Sequence, residues 1–257
     1  MLYSFLRLIK IFRSIARENS FVKCFAFVFC RLFSLHKSFI LTFHGENFCF
    51  RTSSPDIETA YEAWRELHFL SELTMPNHAA FREGLIVDAG AYAGFTSRYL
   101  SRFFPDSKIL AIEPSQDNYA ALVKNISLSP RSNIDPINKA LTDVSGEFLT
   151  LTRSGSDLSH SITNFKKTKN VSVETIESVN LEELLKLAGA ESVSILKCDI
   201  EGAELQVFKK MSVEIRVVII ELHERKQPGV EKVFRKYSEE RLNIRSGEKL
   251  VSFLTND

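Results

Sequence analysis

The 257-residue chain is short of the features that mark several protein classes. Its four cysteines, Cys24, Cys30, Cys49 and Cys198, form no CxxC pair and stand at no zinc-ligand spacing. A structural zinc is therefore not expected. Nor is a disulfide framework expected in a chain this long, which points to a reducing, cytoplasmic setting. No apolar run reaches the roughly 20 residues that span a bilayer. The longest aromatic stretch, "FVKCFAFVFCRLF", has only seven uncharged residues between Lys23 and Arg31. Charges interspersed with apolar residues, and no small-residue cleavage site, also argue against a signal peptide.

Net charge is nearly absent too, at +1, but it is unevenly spread. Residues 1–37 carry seven basic residues against Glu18 alone, a net +6, which leaves −5 for residues 38–257. A mildly acidic body argues against nucleic acid as a partner. Within "MLYSFLRLIKIFRSIAR", Leu2, Phe5, Leu6, Ile9 and Phe12 recur at helical spacing, with Arg7, Lys10, Arg13 and Arg17 on another face. That is a basic amphipathic helix. It either lies on an anionic membrane surface, which would put the protein on the inner face of a membrane, or packs its apolar face on protein.

The expected organisation has three parts: a basic extension over 1–37, a hairpin and helix over 38–83, and an α/β domain over 84–257. The hairpin is predicted from strands around 38–43 and 48–52 joined by His44-Gly45-Glu46-Asn47, and the helix begins at Asp56. From residue 84 apolar strands alternate with helices. Leu85 to Val87, "KILAIEP", "NIDPINKAL", "VSILKCDI" and "IRVVIIELHE" read as strands. Phe95 to Phe103, "SQDNYAALVKNISL" with Ser115 as its N-cap, and "GAELQVFKKM" read as helices. This alternation predicts a mostly parallel sheet with crossover helices, whose ligands bind at the carboxyl ends of the strands.

At the end of the first strand stands "DAGAYAG", residues 88–94. Gly90 and Gly94 permit a sharp turn and close approach of a ligand to the backbone. The G-x-G-x-x-G of a dinucleotide site is missing, and Asp88 would set a negative charge against a pyrophosphate. Glu113 follows 23 residues after Gly90, at the end of the second strand, where a carboxylate can hold ribose hydroxyls. A nucleoside with a cationic amino-acid end suits both acids, which describes S-adenosylmethionine. The alternative is a turn that needs glycines for its own shape, with Glu113 capping the next helix.

"VDAGAYAGFTS", "AIEPSQDNYAALVKN", "NKALTDVSGE", "LKCDIEGAE" and "VVIIELHE" together resemble the FkbM family of S-adenosylmethionine-dependent methyltransferases over about residues 85–224. The resemblance implies a class I, Rossmann-like fold, S-adenosylmethionine as cofactor, and O-methyl transfer to a hydroxyl of a sugar, glycolipid or secondary metabolite. Asp88, Gly90, Gly94 and Glu113 are the expected cofactor residues. Asp199, at the end of the fourth strand, is expected to position or deprotonate the acceptor, unless it caps the following helix. His223, ending the fifth strand, is a candidate base. Lys197 can orient a carboxylate. Asp199, Glu201 and Glu221 could share a divalent cation, although no ligand spacing enforces it and no metal is expected. The Asp/Asn-Pro-Pro-aromatic turn of amine methylation and the Pro-Cys pair of cytosine methylation are both missing. "KKTK", residues 166–169, reads as a solvated loop. Two other functions stay open: methylation of a protein or an RNA 2′-hydroxyl, and a non-catalytic scaffold held at a membrane.

Overall fold

The computed structural model describes residues 13, 15–73, 84–153, 160–162, 172–200, 202–209, 212–222, 228–229, 242–245 and 248–254. The first twelve residues, the "KKTK" segment, Glu201 and His223 lie outside the described residues.

Strands β3 (Leu85–Ala89), β4 (Lys108–Ile112), β5 (Ile134–Ile137), β10 (Val193–Cys198), β11 (Ile215–Leu222), β12 (Leu242–Arg245) and β13 (Glu248–Leu254) form the main sheet. Their spatial order is β12-β13-β11-β10-β3-β4-β5. β3, β4, β5, β10 and β11 are mutually parallel, and β13 runs antiparallel to β11 and β12. Sequence runs outward from β3 through β4 to β5, and from β10 it steps the other way to β11. The order therefore reverses between these two neighbours, where an open α/β sheet makes its ligand crevice.

Both faces of this sheet are covered, which is why its strands are apolar throughout rather than alternating. Ile86, Ile109, Ala111, Ile195, Val217 and Ile219 point into one core. Leu85, Val87, Leu110, Leu196, Val218 and Ile220 point into the other. The first core is shared with α1 (Phe21–Leu32), the hairpin strands β1 (Ser38–Phe43) and β2 (Glu46–Arg51), and α3 (Phe95–Phe103). The second is closed by α5 (Leu181–Ala188) and α6 (Glu204–Lys209). Among the described residues no helix is long and apolar enough to cross a membrane.

Several elements differ from expectation. β2 begins at Glu46, so the hairpin turn has two residues rather than four. His44 and Gly45 both have positive φ, 52° and 81°, the backbone of a type I′ turn, whose twist matches the strands it joins. Ser115 sits at the N-cap of α4 (Gln116–Ser127), but its hydroxyl makes no capping bond. The expected third strand splits. β5 holds Pro136 at the edge of the main sheet, where a missing N–H is tolerated. β6 (Ala140–Leu141) leaves for a second sheet with β7 (Phe148–Arg153), β8 (His160–Ile162) and β9 (Ser172–Val179), in the order β6-β9-β7-β8. This sheet, the β12–β13 hairpin and α5 stand outside the alternation predicted from the sequence.

Candidate active site

α2 (Asp56–Leu73) begins with a buried acid that ties three elements together. The Asp56 carboxylate accepts from the Arg51 amide at 2.8 Å and its guanidinium at 2.7 Å. It also accepts from the Ser54 hydroxyl at 2.7 Å and from the Tyr92 hydroxyl at 2.8 Å. Tyr92 belongs to the glycine turn and takes the left-handed conformation at φ 52°. The hairpin and α2 thus brace the turn through a fully buried carboxylate, where low dielectric strengthens each hydrogen bond.

The turn is shaped by its neighbours in the sheet. Gly90 has φ +78°, and a Cβ there would fall 1.8 Å from the Asp199 carbonyl oxygen. The Gly90 and Ala91 amides donate to the Ile112 carbonyl at 3.0 and 2.9 Å. The glycine is required first by the closeness of β3 and β10, since the Asp199 amide donates to the Ala89 carbonyl at 3.0 Å. Gly94 is the N-cap of α3 at φ +80°, with Leu122 of α4 close beneath it.

Asp88 lies opposite Lys197 in the parallel register and is wholly buried. The Ser97 hydroxyl donates to its Oδ2 at 2.5 Å, while its Oδ1 has no partner among the described residues. Burial pushes its pKa up, against the downward pull of the Lys197 ammonium. Glu113 is also buried. The Tyr92 amide donates to its Oε2 at 2.9 Å, and the Ser115 amide to its Oε1 at 2.9 Å. The Asn118 amide reaches Oε1 at 3.5 Å. Burial outweighs these bonds and raises its pKa to about 7. A carboxylate offers about four acceptor positions, so Glu113 retains about one, on Oε2, beyond its work of fastening the turn to α4.

Lys197 and Asp199 flank the buried end of β10. Lys197 Nζ stands 3.3 Å from Asp199 Oδ2. Cys198 between them is a buried thiol whose pKa is raised by desolvation, which rules it out as a ready nucleophile. The two charged side chains line a cavity of about 90 Å³ with Gly90, Ala91, Tyr92 and, from β11, Glu221. The structure therefore brings the glycine turn, Lys197 and Asp199 to one cavity. Asp88, Gly94 and Glu113 support the same turn from behind and do not line it. The volume is below the roughly 300–1,000 Å³ of a whole small-molecule site, so it accounts for part of one.

Phe95 and Thr96 of α3 also line the cavity, and Thr59, Glu62 and Ala63 of α2 complete its wall. Sequence reasoning assigned them nothing. Their spacing of three and four residues puts them on one helix face, but nothing local marks that face as lining a site rather than a core.

Comparison with known proteins gives the family. A family described as the methyltransferase FkbM domain matches residues 88–249, more than half of the chain. Methyltransferase sdnD of Sordaria araneosa is 29% identical over 171 residues, 54% of this chain and 66% of the relative. The hexuronic acid methyltransferase AglP of Haloferax volcanii is 24% identical over 176 residues, 65% of this chain and 69% of the relative. The chain spans about two thirds of the length of the curated relatives it matches. Among solved structures, the METTL16 methyltransferase domain is 13% identical over 83% of this chain and 75% of that one, with a TM-score of 0.48. The sheet order, the reversed strand β13 and the glycine turn after β3 make the fold the class I, Rossmann-like methyltransferase fold expected from the sequence. The chain belongs to the FkbM methyltransferase family.

Proposed function

We propose that the protein is an S-adenosylmethionine-dependent O-methyltransferase acting on a hydroxyl of a sugar, glycolipid or secondary metabolite. The observation that carries this is the convergence of the glycine turn with Lys197 and Asp199 on one cavity at the point where strand order reverses. The residues present fit the cofactor: Asp88 keeps a buried acceptor without a partner among the described residues, and Glu113 keeps acceptor capacity at the end of β4. Gly90 would meet it at the cavity, and Asp88, Gly94 and Glu113 would act from behind the turn that bears it. The cofactor supplies an activated methyl group on sulfur.

The remaining work falls to the chain. Passing that methyl group to a hydroxyl would require the acceptor oxygen to be oriented and its proton to be taken up. Asp199, held by Lys197, would orient the hydroxyl and receive that proton. His223, next in sequence after β11, is the second candidate base. A sugar acceptor is favoured by the relative named as a hexuronic acid methyltransferase.

Isothermal calorimetry with S-adenosylmethionine and S-adenosylhomocysteine tests the cofactor. Transfer of labelled methyl groups to extracted glycans and lipids tests the acceptor. Both cofactor forms are expected to bind and a glycan or lipid fraction to take up label. No heat with either compound at millimolar concentration would overturn the proposal, and label confined to protein or RNA would overturn the acceptor class.

A further inference from the structure

α1 turns only one side toward the protein. Cys24 and Phe27 are buried against the hairpin, with Phe27 edge-on to Phe39 at 5.7 Å. On the other side Phe21, Val22, Phe25, Phe29, Leu32 and Phe33 are all exposed, Phe21 and Leu32 by about three quarters. The four phenylalanines recur every four residues and form a ladder. Ring centroids are 6.3 Å apart from Phe21 to Phe25, 6.3 Å from Phe25 to Phe29 and 4.5 Å from Phe29 to Phe33. A contiguous apolar face of this kind on a folded domain marks an interaction surface.

Charge selects what it meets. Arg13, Arg17, Lys23 and Lys37, near the ladder in sequence, are exposed. Glu18 is the only acid in the first 45 residues, and its carboxylate already accepts the His44 amide at 2.9 Å and the Gly45 amide at 2.7 Å. A second copy docked on this face would bring the same cations together with no acid between them. An anionic lipid surface supplies both an apolar layer for the rings and negative headgroups for the cations. The twelve residues of α1 extend about 18 Å, well short of the roughly 30 Å bilayer core, so the helix must lie in the interface rather than cross it.

We propose that the exposed phenylalanine face of α1, together with the exposed Arg13, Arg17, Lys23 and Lys37, docks the protein on an anionic membrane surface. The docking element is thus α1, and not solely the basic helix predicted over the first 17 residues. The last turn of α1 is fastened to α2 by Arg31, which donates to Glu58 at 2.7 Å and to the Ser54 carbonyl at 2.9 Å. The docking helix is thus joined to the helix that lines the cavity.

The test is co-sedimentation of the full chain with phosphatidylglycerol-containing vesicles and with pure phosphatidylcholine vesicles, at low and high salt. The wild-type chain should bind the anionic vesicles, and added salt should weaken binding, because each cation near an anionic leaflet is worth about fivefold in affinity. F25E/F29E should bind the same vesicles about a hundredfold more weakly, as two rings no longer insert. R17E/K23E alters only exposed charges, so it tests the same surface if F25E/F29E does not fold; it should lose at least tenfold. Failure of the wild type to bind anionic vesicles at low salt overturns the proposal. So does unchanged binding by F25E/F29E with loss of binding on deleting residues 1–12, which would assign docking to that segment. A dimer in sedimentation equilibrium that F25E/F29E dissolves would assign the face to self-association.

Discussion

The carbonyl oxygen of Asp199 occupies the space that a Cβ on Gly90 would need, 1.8 Å from its ideal position. The end of β10 therefore rests directly on the glycine turn after β3. The Asp199 amide is tied to Ala89, so neither strand end can draw back without breaking a sheet bond.

Gly90→Ala and Gly94→Ala should consequently differ. Both force an alanine into positive φ, which costs about 1–2 kcal/mol. At Gly90 the added methyl also meets backbone, an overpacking cost of about 1–3 kcal/mol more. At Gly94 it meets Leu122 Cδ1 at 2.6 Å, the end of a side chain that can rotate away. Urea unfolding should rank Gly90→Ala as the more destabilised, and calorimetry should show the larger loss of S-adenosylmethionine binding there. Equal losses at the two positions would mean that β10 yields.

Glu113 gives stability a pH dependence. Its usual pKa of 4.5 rises to about 7 in the folded protein because burial disfavours the charge. Folding therefore holds a proton that the unfolded chain releases. The contribution is full below pH 4.5 and is lost as pH climbs through 7, a change of about 3 kcal/mol. Glu113→Gln does not titrate. The difference in unfolding free energy between wild type and variant should shift by about that amount across this window, in favour of the variant at high pH. Parallel stability curves would show that the carboxylate is already ionised in the fold.

Asp199→Asn and His223→Ala should lower turnover far more than cofactor affinity, because the roles proposed for both lie on the acceptor side. Loss of a general base costs about 10²–10⁴ in rate. Steady-state kinetics beside calorimetry separates the effects. Wild-type turnover in both variants would return Asp199 to a role as the partner of Lys197.

Arg98 of α3 is completely buried and joins the hairpin to α3 and α4. It donates to Glu46 Oε2 and the Asn47 carbonyl at 2.6 Å each and to the Asn125 carbonyl at 3.1 Å, with its guanidinium 4.2 Å from the Phe48 ring centroid. Arg98→Met should cost about 3–5 kcal/mol, since it leaves Glu46 buried with Arg131 as its remaining ion-pair partner. Adding Glu46→Gln should restore part of that loss in urea unfolding. Strict additivity of the two changes would show that the pair contributes nothing as a pair.

Local signals made much of the fold legible. Apolar runs bounded by turn residues located β3, β4, β10 and β11, and α3 was expected at the bounds it has, Phe95–Phe103. The hairpin was legible as well, although its turn was expected two residues too long because His44 does not advertise the positive φ it adopts. α5 also carried clear local signals: the Asn180 side chain accepts from the Glu183 amide, and Gly189 ends the helix at φ 67°. It lay outside the family motifs, as did β7 to β9, whose pairing joins residues far apart in sequence.

Sequence alone determined the alternation of strands and helices, the glycine turn after Asp88, the acid at the end of the second strand, and the strand-end Lys197 and Asp199. These depend on short-range periodicity and on backbone conformations that few residues tolerate, so they can be read from neighbours along the chain. Tertiary structure decided the rest. It set Gly90 against the Asp199 backbone, sealed Asp88 behind Ser97, and used most of the Glu113 carboxylate to fasten the turn. It brought Thr59 and Glu62 from α2 to the cavity wall and left one face of α1 bare. Such outcomes depend on which surfaces meet when both faces of the sheet are covered. Burial, hydrogen-bond saturation and close approach belong to pairs of elements distant along the chain, and no local pattern records them.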